Sequence, residues 1–142
     1  NYVVQFPHIA RYMQDTIDST RELGYAETLF GKTRYLPDIH SSTPHISAAA
    51  ERVAINHPIQ GTQSDIIKMV MVSIAKALSL QQEECLMLLQ IHDELLFEIR
   101  NDIVKKRVQE ITFLMEEVVE LKVPLRVKVT LGQNWGVQKK VQ

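Results

Sequence analysis

The chain has 142 residues, of which 45% are hydrophobic and 23% charged, the range of an ordinary globular protein with enough length to bury one core. No apolar run approaches the roughly 20 residues of a membrane-spanning helix, and Asn1-Tyr2-Val3-Val4-Gln5 lacks the layout of a signal peptide, so a soluble, intracellular chain is expected, without membrane partners. The formal net charge of -1 provides no general electrostatic footprint for nucleic acid, which normally shows as a clearly basic surface.

The single cysteine, Cys85, excludes an intramolecular disulfide, and no Cys/His cluster has zinc-ligand spacing. Cys85 reads as a small core residue rather than a nucleophile, because free cysteines are usually buried.

From Pro7, the apolar positions Ile9, Ala10, Met13 and Ile17 share one helical stripe. Pro7 suits the first turn and Gly24 the position past the end, so the first helix should close near Leu23. Tyr2 to Phe6 enters this helix without a capped lead, which points to residue 1 as a boundary within a longer chain. Tyr25 to Phe30 and Arg34 to Leu36 flank Gly31 and predict a short extended hairpin or loop, stopped by Pro37.

Thr43-Pro44 reads as an N-cap and first-turn proline opening a second helix from Pro44 to Asn56, with Ile46, Ala49, Ala50 and Val53 on its apolar stripe. Pro58 disfavours helical geometry at His57, so Pro58 to Gly61 is expected to break the helix. Thr62 and Asp65 resemble a capping box opening a third helix, with Asp in place of the usual Glu or Gln. Its stripe is Ile66, Ile67, Val70, Met71, Ile74 and Leu78.

After a polar loop from Ser79 to Glu84, Leu86 to Ile91 and Leu95 to Ile99 predict a hairpin of largely buried strands. Asn101 or Asp102 should cap a fourth helix bearing Val104, Val108, Ile111, Met115 and Val118. Its Lys105-Lys106-Arg107 start opposes the helix macrodipole, a cost that tertiary packing must override. Leu125, Val127, Val129 and Leu131 alternate with Arg126, Lys128 and Thr130, the pattern of a strand with one buried face that Gly132 stops. The fold class predicted is α+β: helices, then a small antiparallel sheet made of a hairpin, a crossing helix and a C-terminal strand.

Two constellations carry chemistry. His92, Asp93 and Glu94 fall between two apolar strands, where a tight turn could aim hard oxygen ligands at magnesium from a rigid sheet. By spacing alone, a solvated hairpin tip is the better reading of these residues, because turns favour Asp. Arg52 and Asn56 are four apart on the second helix and share a face, and Gln60 continues that line. Arg, Asn and Gln offer donors to the minor-groove acceptors that every correct base pair presents in similar places. Alone, this row reads better as a solvated helix edge.

The stretch Glu51-Arg52-Val53-Ala54-Ile55-Asn56-His57-Pro58-Ile59-Gln60-Gly61-Thr62, with Asp65-Ile66-Ile67-Lys68 and Leu88-Leu89-Gln90-Ile91-His92-Asp93-Glu94-Leu95, resembles family A DNA polymerases of the bacterial DNA polymerase I type. Gly24 to Gly31, Arg34 to Pro37 and Gly132 to Trp135 fit as well, so the likeness covers essentially the whole chain.

The resemblance implies a DNA-directed DNA polymerase of replication and repair, a nucleotidyltransferase, cytoplasmic and nucleoid-associated. Residues 1–61 would be the end of the fingers and the fingers–palm connection, and residues 62–142 the palm to the polymerase C-terminus. Asp93 would bind the catalytic magnesium ions, of which the full enzyme uses two. Glu94 would support that site, and His92 would lie against the primer terminus. Arg52, Asn56 and Gln60 would contact the primer-template minor groove, with Arg34 a further DNA contact. The implied partners are primer-template DNA, deoxynucleoside triphosphates and the rest of the polymerase chain.

Departures limit the carry-over. Lys32-Thr33-Arg34 stands where the family often has three arginines, and Gln63-Ser64 replaces two common alanines. The family's D-Y-S-x-x-E-L-R stretch, with its second metal-binding aspartate, and the nucleotide-gripping fingers helix would both lie upstream of Asn1. The chain alone is therefore expected to be inactive and to hold no bound metal. A noncatalytic module that binds primer-template duplex, with relic carboxylates, is the alternative from another class.

Overall fold

The computed structural model describes residues 5–79 and 83–140. The chain folds as two compact units, Asn1–Asp65 and Ile66–Gln142.

In the first unit, helix α1 spans Pro7–Leu23, with Pro7 in its first turn and Gly24 in the left-handed conformation that ends it (φ 79°). The Gly24 N–H donates to the Thr20 carbonyl at 2.8 Å, satisfying one of the carbonyls a helix end leaves open. Strands β1 (Tyr25–Glu27) and β2 (Thr33–Tyr35) pair antiparallel, with Tyr25 opposite Tyr35 and Ala26 opposite Arg34. A 3-10 turn over Pro37–His40 leads to helix α2, Pro44–Asn56. Ala50 and Ala54, one turn apart, pack with Ala26, Leu36 and Ile39 as the core of this unit. Their small side chains let the helix approach closely.

Three local expectations in this unit are corrected. Thr43 holds an extended N-cap conformation, but its hydroxyl caps nothing; its carbonyl accepts the Ile46 and Ser47 N–H groups instead. Pro58 does not break the helix, because His57–Gly61 forms a π-helical turn with His57 in the right-handed helical region (φ -60°, ψ -43°). A proline offers no N–H and crowds the carbonyl four residues back, and the wider i to i+5 turn absorbs both effects. Helix α3, Thr62–Leu78, follows directly, so Thr62 and Asp65 form no capping box. The Thr62 hydroxyl donates back to the Pro58 carbonyl, and Asp65 takes partners from the β1–β2 turn.

In the second unit, Val70, Ile74 and Leu78 of α3 form a core with Cys85 and Ile111. Strands β3 (Cys85–Ile91) and β4 (Glu94–Ile99) form an antiparallel hairpin, and helix α4 spans Val104–Glu116. Met87, Leu95, Phe97, Ile99, Leu114, Met115 and Val118 pack around that core. The hairpin is buried on one face only: Leu86, Leu88 and Leu89 stay exposed. A bulge after Met87 gives Leu88 no cross-strand partner, and an extra residue of this kind disrupts the ladder locally.

Neither Asn101 nor Asp102 caps α4, whose N-cap position is Ile103; the Asp102 carboxylate is held by Arg100 at 2.7 and 3.0 Å. The macrodipole cost of Arg107 is overridden by burial in a charge-assisted cluster, with its guanidinium donating to Glu84 at 2.7 Å and Glu110 at 2.6 Å.

The C-terminal strand also differs from expectation. Leu125, Val127 and Val129 do alternate as half-buried positions with exposed neighbours, but residues 124–129 join no ladder. Helix α4 anchors them, through Glu116 accepting the Val127 N–H at 2.9 Å. Strand β5 is Thr130–Asn134 and pairs with β6, Val137–Lys140, as a separate hairpin. Gly132 lies inside β5 rather than stopping it: a Cβ there would meet the Val137 carbonyl oxygen at 1.9 Å. Among the described residues the sheets are three two-stranded antiparallel pairs, so the fold is α+β. Of the Ser79 to Glu84 loop, residues 80–82 fall outside the described residues, as do 1–4 and 141–142.

Candidate functional site

The β3–β4 turn is built by register. Ile91 pairs with Glu94, which leaves His92-Asp93 as a two-residue loop and makes Glu94 the first residue of β4. A two-residue hairpin needs a positive φ to match strand twist, and His92 supplies it at φ 53°, a conformation a β-carbon disfavours. The Gln90 side chain pins it, donating from Nε2 to the His92 carbonyl at 2.9 Å. His92, Asp93 and Glu94 are all exposed. The apolar strands thus hold two carboxylates of adjacent residues in water at the end of a ladder.

Magnesium takes about six oxygen ligands in octahedral geometry and keeps several waters, binding through one or two carboxylates plus substrate phosphates. Asp93 and Glu94 have the right donor chemistry for one side of such a site. Among the described residues there is no group of three His, Cys, Asp or Glu placed to hold a metal. The donor set fits part of a magnesium site and does not complete one.

The second constellation lies in the first unit. Arg52 and Asn56 stand on exposed positions of α2, and Gln60 is exposed on the π turn. Among the described residues, none pairs with the Arg52, Asn56 or Gln60 side chains by hydrogen bond or ion pair, so their donors face solvent. Arg34 is exposed on β2 opposite Ala26.

What the sequence did not reveal is how the β1–β2 turn is tied to the π turn and the start of α3. The Thr28 hydroxyl donates to Asp65 Oδ2 at 2.8 Å and accepts the Phe30 and Lys32 N–H groups at 3.3 and 3.2 Å. Lys32 Nζ lies 3.8 Å from Asp65 Oδ1. The Leu29 N–H donates to Thr62 Oγ1 at 2.9 Å, and His57 Nε2 is 3.3 Å from the Lys32 carbonyl oxygen. Thr28 is itself buried. The partners that join this turn to residues 57–65 are some 25 to 37 residues apart, beyond any local spacing rule.

Elsewhere, burial pushes the Cys85 thiol above its ordinary range, with nearby Arg107 pulling it back and Glu110 adding to the rise. A thiol held neutral and enclosed is unreactive, in keeping with a core role. Arg107 is held above its usual range by its hydrogen bonds to Glu84 and then Glu110. No helix among the described residues is long and apolar enough to cross a membrane.

Comparison with known proteins shows the family. The model of DNA polymerase family A matches residues 1–137, and the chain belongs to that family. It is 42% identical over 134 residues to DNA polymerase I of Pseudomonas aeruginosa, covering 94% of this chain and 15% of that protein. It is 43% identical over 136 residues to DNA polymerase I of Chloroflexus aurantiacus, covering 95% and 14%. Among solved structures it matches the POL domain of Pol1 from M. smegmatis, in complex with DNA primer-template and dNTP. That match has a TM-score of 0.83 and 38% identity, over 88% of this chain and 22% of that one. The chain thus spans about a seventh of the length of the curated relatives it matches.

Proposed function

We propose that this chain is the part of a DNA-directed DNA polymerase that carries the motif C carboxylates, and that its two exposed constellations serve template-dependent nucleotidyl transfer to a primer 3′ hydroxyl. The observation that carries the reading is the two-residue turn that presents Asp93 beside Glu94 from a rigid hairpin. It stands in a chain 38% identical to a polymerase domain solved with primer-template and nucleotide. In this reading residues 1–61 are the end of the fingers and their connection to the palm, and residues 62–142 belong to the palm.

Each residue has a role set by its chemistry. Asp93 offers a hard oxygen to magnesium, and Glu94, anchored as the first residue of β4, supports the same ion. Magnesium, when bound, lowers the pKa of the primer hydroxyl and steadies the triphosphate and the leaving pyrophosphate. His92 stands next to these carboxylates and contacts the primer terminus. Arg52, Asn56 and Gln60 donate to purine N3 and pyrimidine O2 in the minor groove, where a mismatch displaces the acceptors. Arg34 contacts the DNA backbone, a role suited to its planar donor fork.

Two carboxylates on one turn are only part of a two-ion site, so the remaining ligands come from elsewhere in the parent protein. The test is primer extension with magnesium and all four nucleotides, run with the full-length protein and with the 142 residues alone. Extension by the full-length protein and none by the 142 residues is expected. Absence of extension by the full-length protein would overturn the reading, and robust synthesis by the 142 residues would overturn the incomplete-site argument.

A further inference from the structure

We infer that Thr28 is a positioning residue for Gln60, acting through the π turn, and so sets how well the polymerase distinguishes matched from mismatched primer termini. The inference rests on the reading of Arg52, Asn56 and Gln60 as a minor-groove row.

An α-helix turns by roughly 100° per residue, so a step of four advances a side chain by about 40° past a full turn. Over two such steps, from Arg52 to Gln60, a regular helix would carry the third side chain well round from the first. The π turn over His57–Gly61 is wider and rotates less per residue, roughly 80°, so the second step of four falls short of a full turn and offsets the drift of the first. The π turn is therefore what returns Gln60 toward the line of Arg52 and Asn56.

A π turn is a rarely populated conformation, kept where surrounding structure over-determines it. Here the β1–β2 turn does so at three points. The Lys32 carbonyl meets His57 at the start of the π turn. The Thr28 methyl group lies against Gly61 at its end, where an added Cβ would come within 2.5 Å of Thr28 Cγ2. The Leu29 N–H is bound by Thr62 just beyond, whose hydroxyl in turn closes on the Pro58 carbonyl inside it.

Thr28 organises the clamp. Its hydroxyl gathers the Phe30 and Lys32 N–H groups and fixes the whole turn to Asp65. Three donor or acceptor bonds converge on one hydroxyl in a residue that is 5% exposed. Without the hydroxyl, two backbone N–H groups and the Asp65 Oδ2 lose this partner together, leaving the carboxylate only Lys32 among the described residues. Thr28 does not touch DNA in this account. Its effect reaches the duplex only through the placement of Gln60.

The experiment uses the full-length polymerase with Thr28→Val, Thr28→Ser, Gln60→Ala and the double variant Thr28→Val/Gln60→Ala. The measured quantity is the ratio of kcat/KM for extending a matched primer terminus to that for a mismatched one, alongside Tm and primer-template Kd. Thr28→Val should lower the ratio about fivefold, the loss of one hydrogen bond's worth of placement, in the same direction as Gln60→Ala. Thr28→Ser, which keeps the hydroxyl, should restore most of it. The double variant should be no worse than Gln60→Ala, because both act through one side chain. A drop in Tm without a change in the ratio, or additive losses in the double variant, would overturn the inference while leaving the minor-groove reading intact. If Gln60→Ala itself leaves the ratio unchanged, the minor-groove reading fails and the inference falls with it.

Discussion

Replacing Gly61 by alanine sets two effects against each other, and the structure decides between them. Gly61 has no positive φ and sits in a helical run, where alanine is normally worth about 1 kcal/mol over glycine. The new methyl group, however, would lie 2.5 Å from Thr28 Cγ2, with the His57 ring at 3.1 and 3.3 Å. Threonine is stiff at χ1, and rotating it away withdraws its hydroxyl from Asp65, 2.8 Å distant. Overpacking of this kind costs about 1–3 kcal/mol, and the lost hydrogen bond about 1 kcal/mol more. The balance predicts that Gly61→Ala destabilises by about 1–3 kcal/mol. In a Thr28→Ser background the offending methyl is gone, and the same substitution should cost at least about 1 kcal/mol less. Urea unfolding of the four proteins in this cycle measures the difference. Equal costs in both backgrounds, within about 0.3 kcal/mol, would refute the contact and the clamp built on it.

Other expectations follow from single positions. Gly132→Ala must displace the Val137 carbonyl, which a Cβ would approach to 1.9 Å, so the β5–β6 hairpin should open; amide hydrogen exchange of residues 130–140 would lose protection if so. His92→Gly removes a β-carbon held at φ 53° and should stabilise the hairpin by about 1 kcal/mol; in the full-length polymerase it should still slow incorporation, because the imidazole beside the carboxylates is lost. Ile74→Ala, at a position with 0% exposure, should cost about 2–5 kcal/mol in urea unfolding.

The sequence was most legible where a boundary is a property of one residue. Pro44 and Gly24 mark the start of α2 and the end of α1 because a proline fits a first turn and a glycine tolerates left-handed geometry. The His92-Asp93 tip was legible in the same way, as polar residues between two apolar runs.

It failed where the partner is distant. Thr62 and Asp65 have the spacing of a capping box, yet their partners arrive from residues 28–32, and spacing carries no information about that. Arg107 looked misplaced at the start of a helix because Glu84 lies 23 residues away. Pro58 was misread for a different reason: the rule that proline ends a helix omits the wider turn that accommodates it. The alternation over residues 125–131 was real, but alternation reports which face is covered, and a strand also needs a neighbour to bond.

For the candidate site, the exposed residues were therefore readable and their support was not. Arg52, Asn56 and Gln60 show their chemistry and approximate spacing in the sequence. The contacts from residues 28–32 to His57 and Thr62 exist only in three dimensions.

Whether Asp93 supplies a magnesium ligand to a polymerase active site is decided by single-turnover nucleotide incorporation by full-length Asp93→Ala with a matched primer-template. Incorporation should be abolished while primer-template Kd and Tm stay close to the unsubstituted protein, because the side chain is exposed at a hairpin tip and acts in the chemical step. Incorporation at the unsubstituted rate would contradict it.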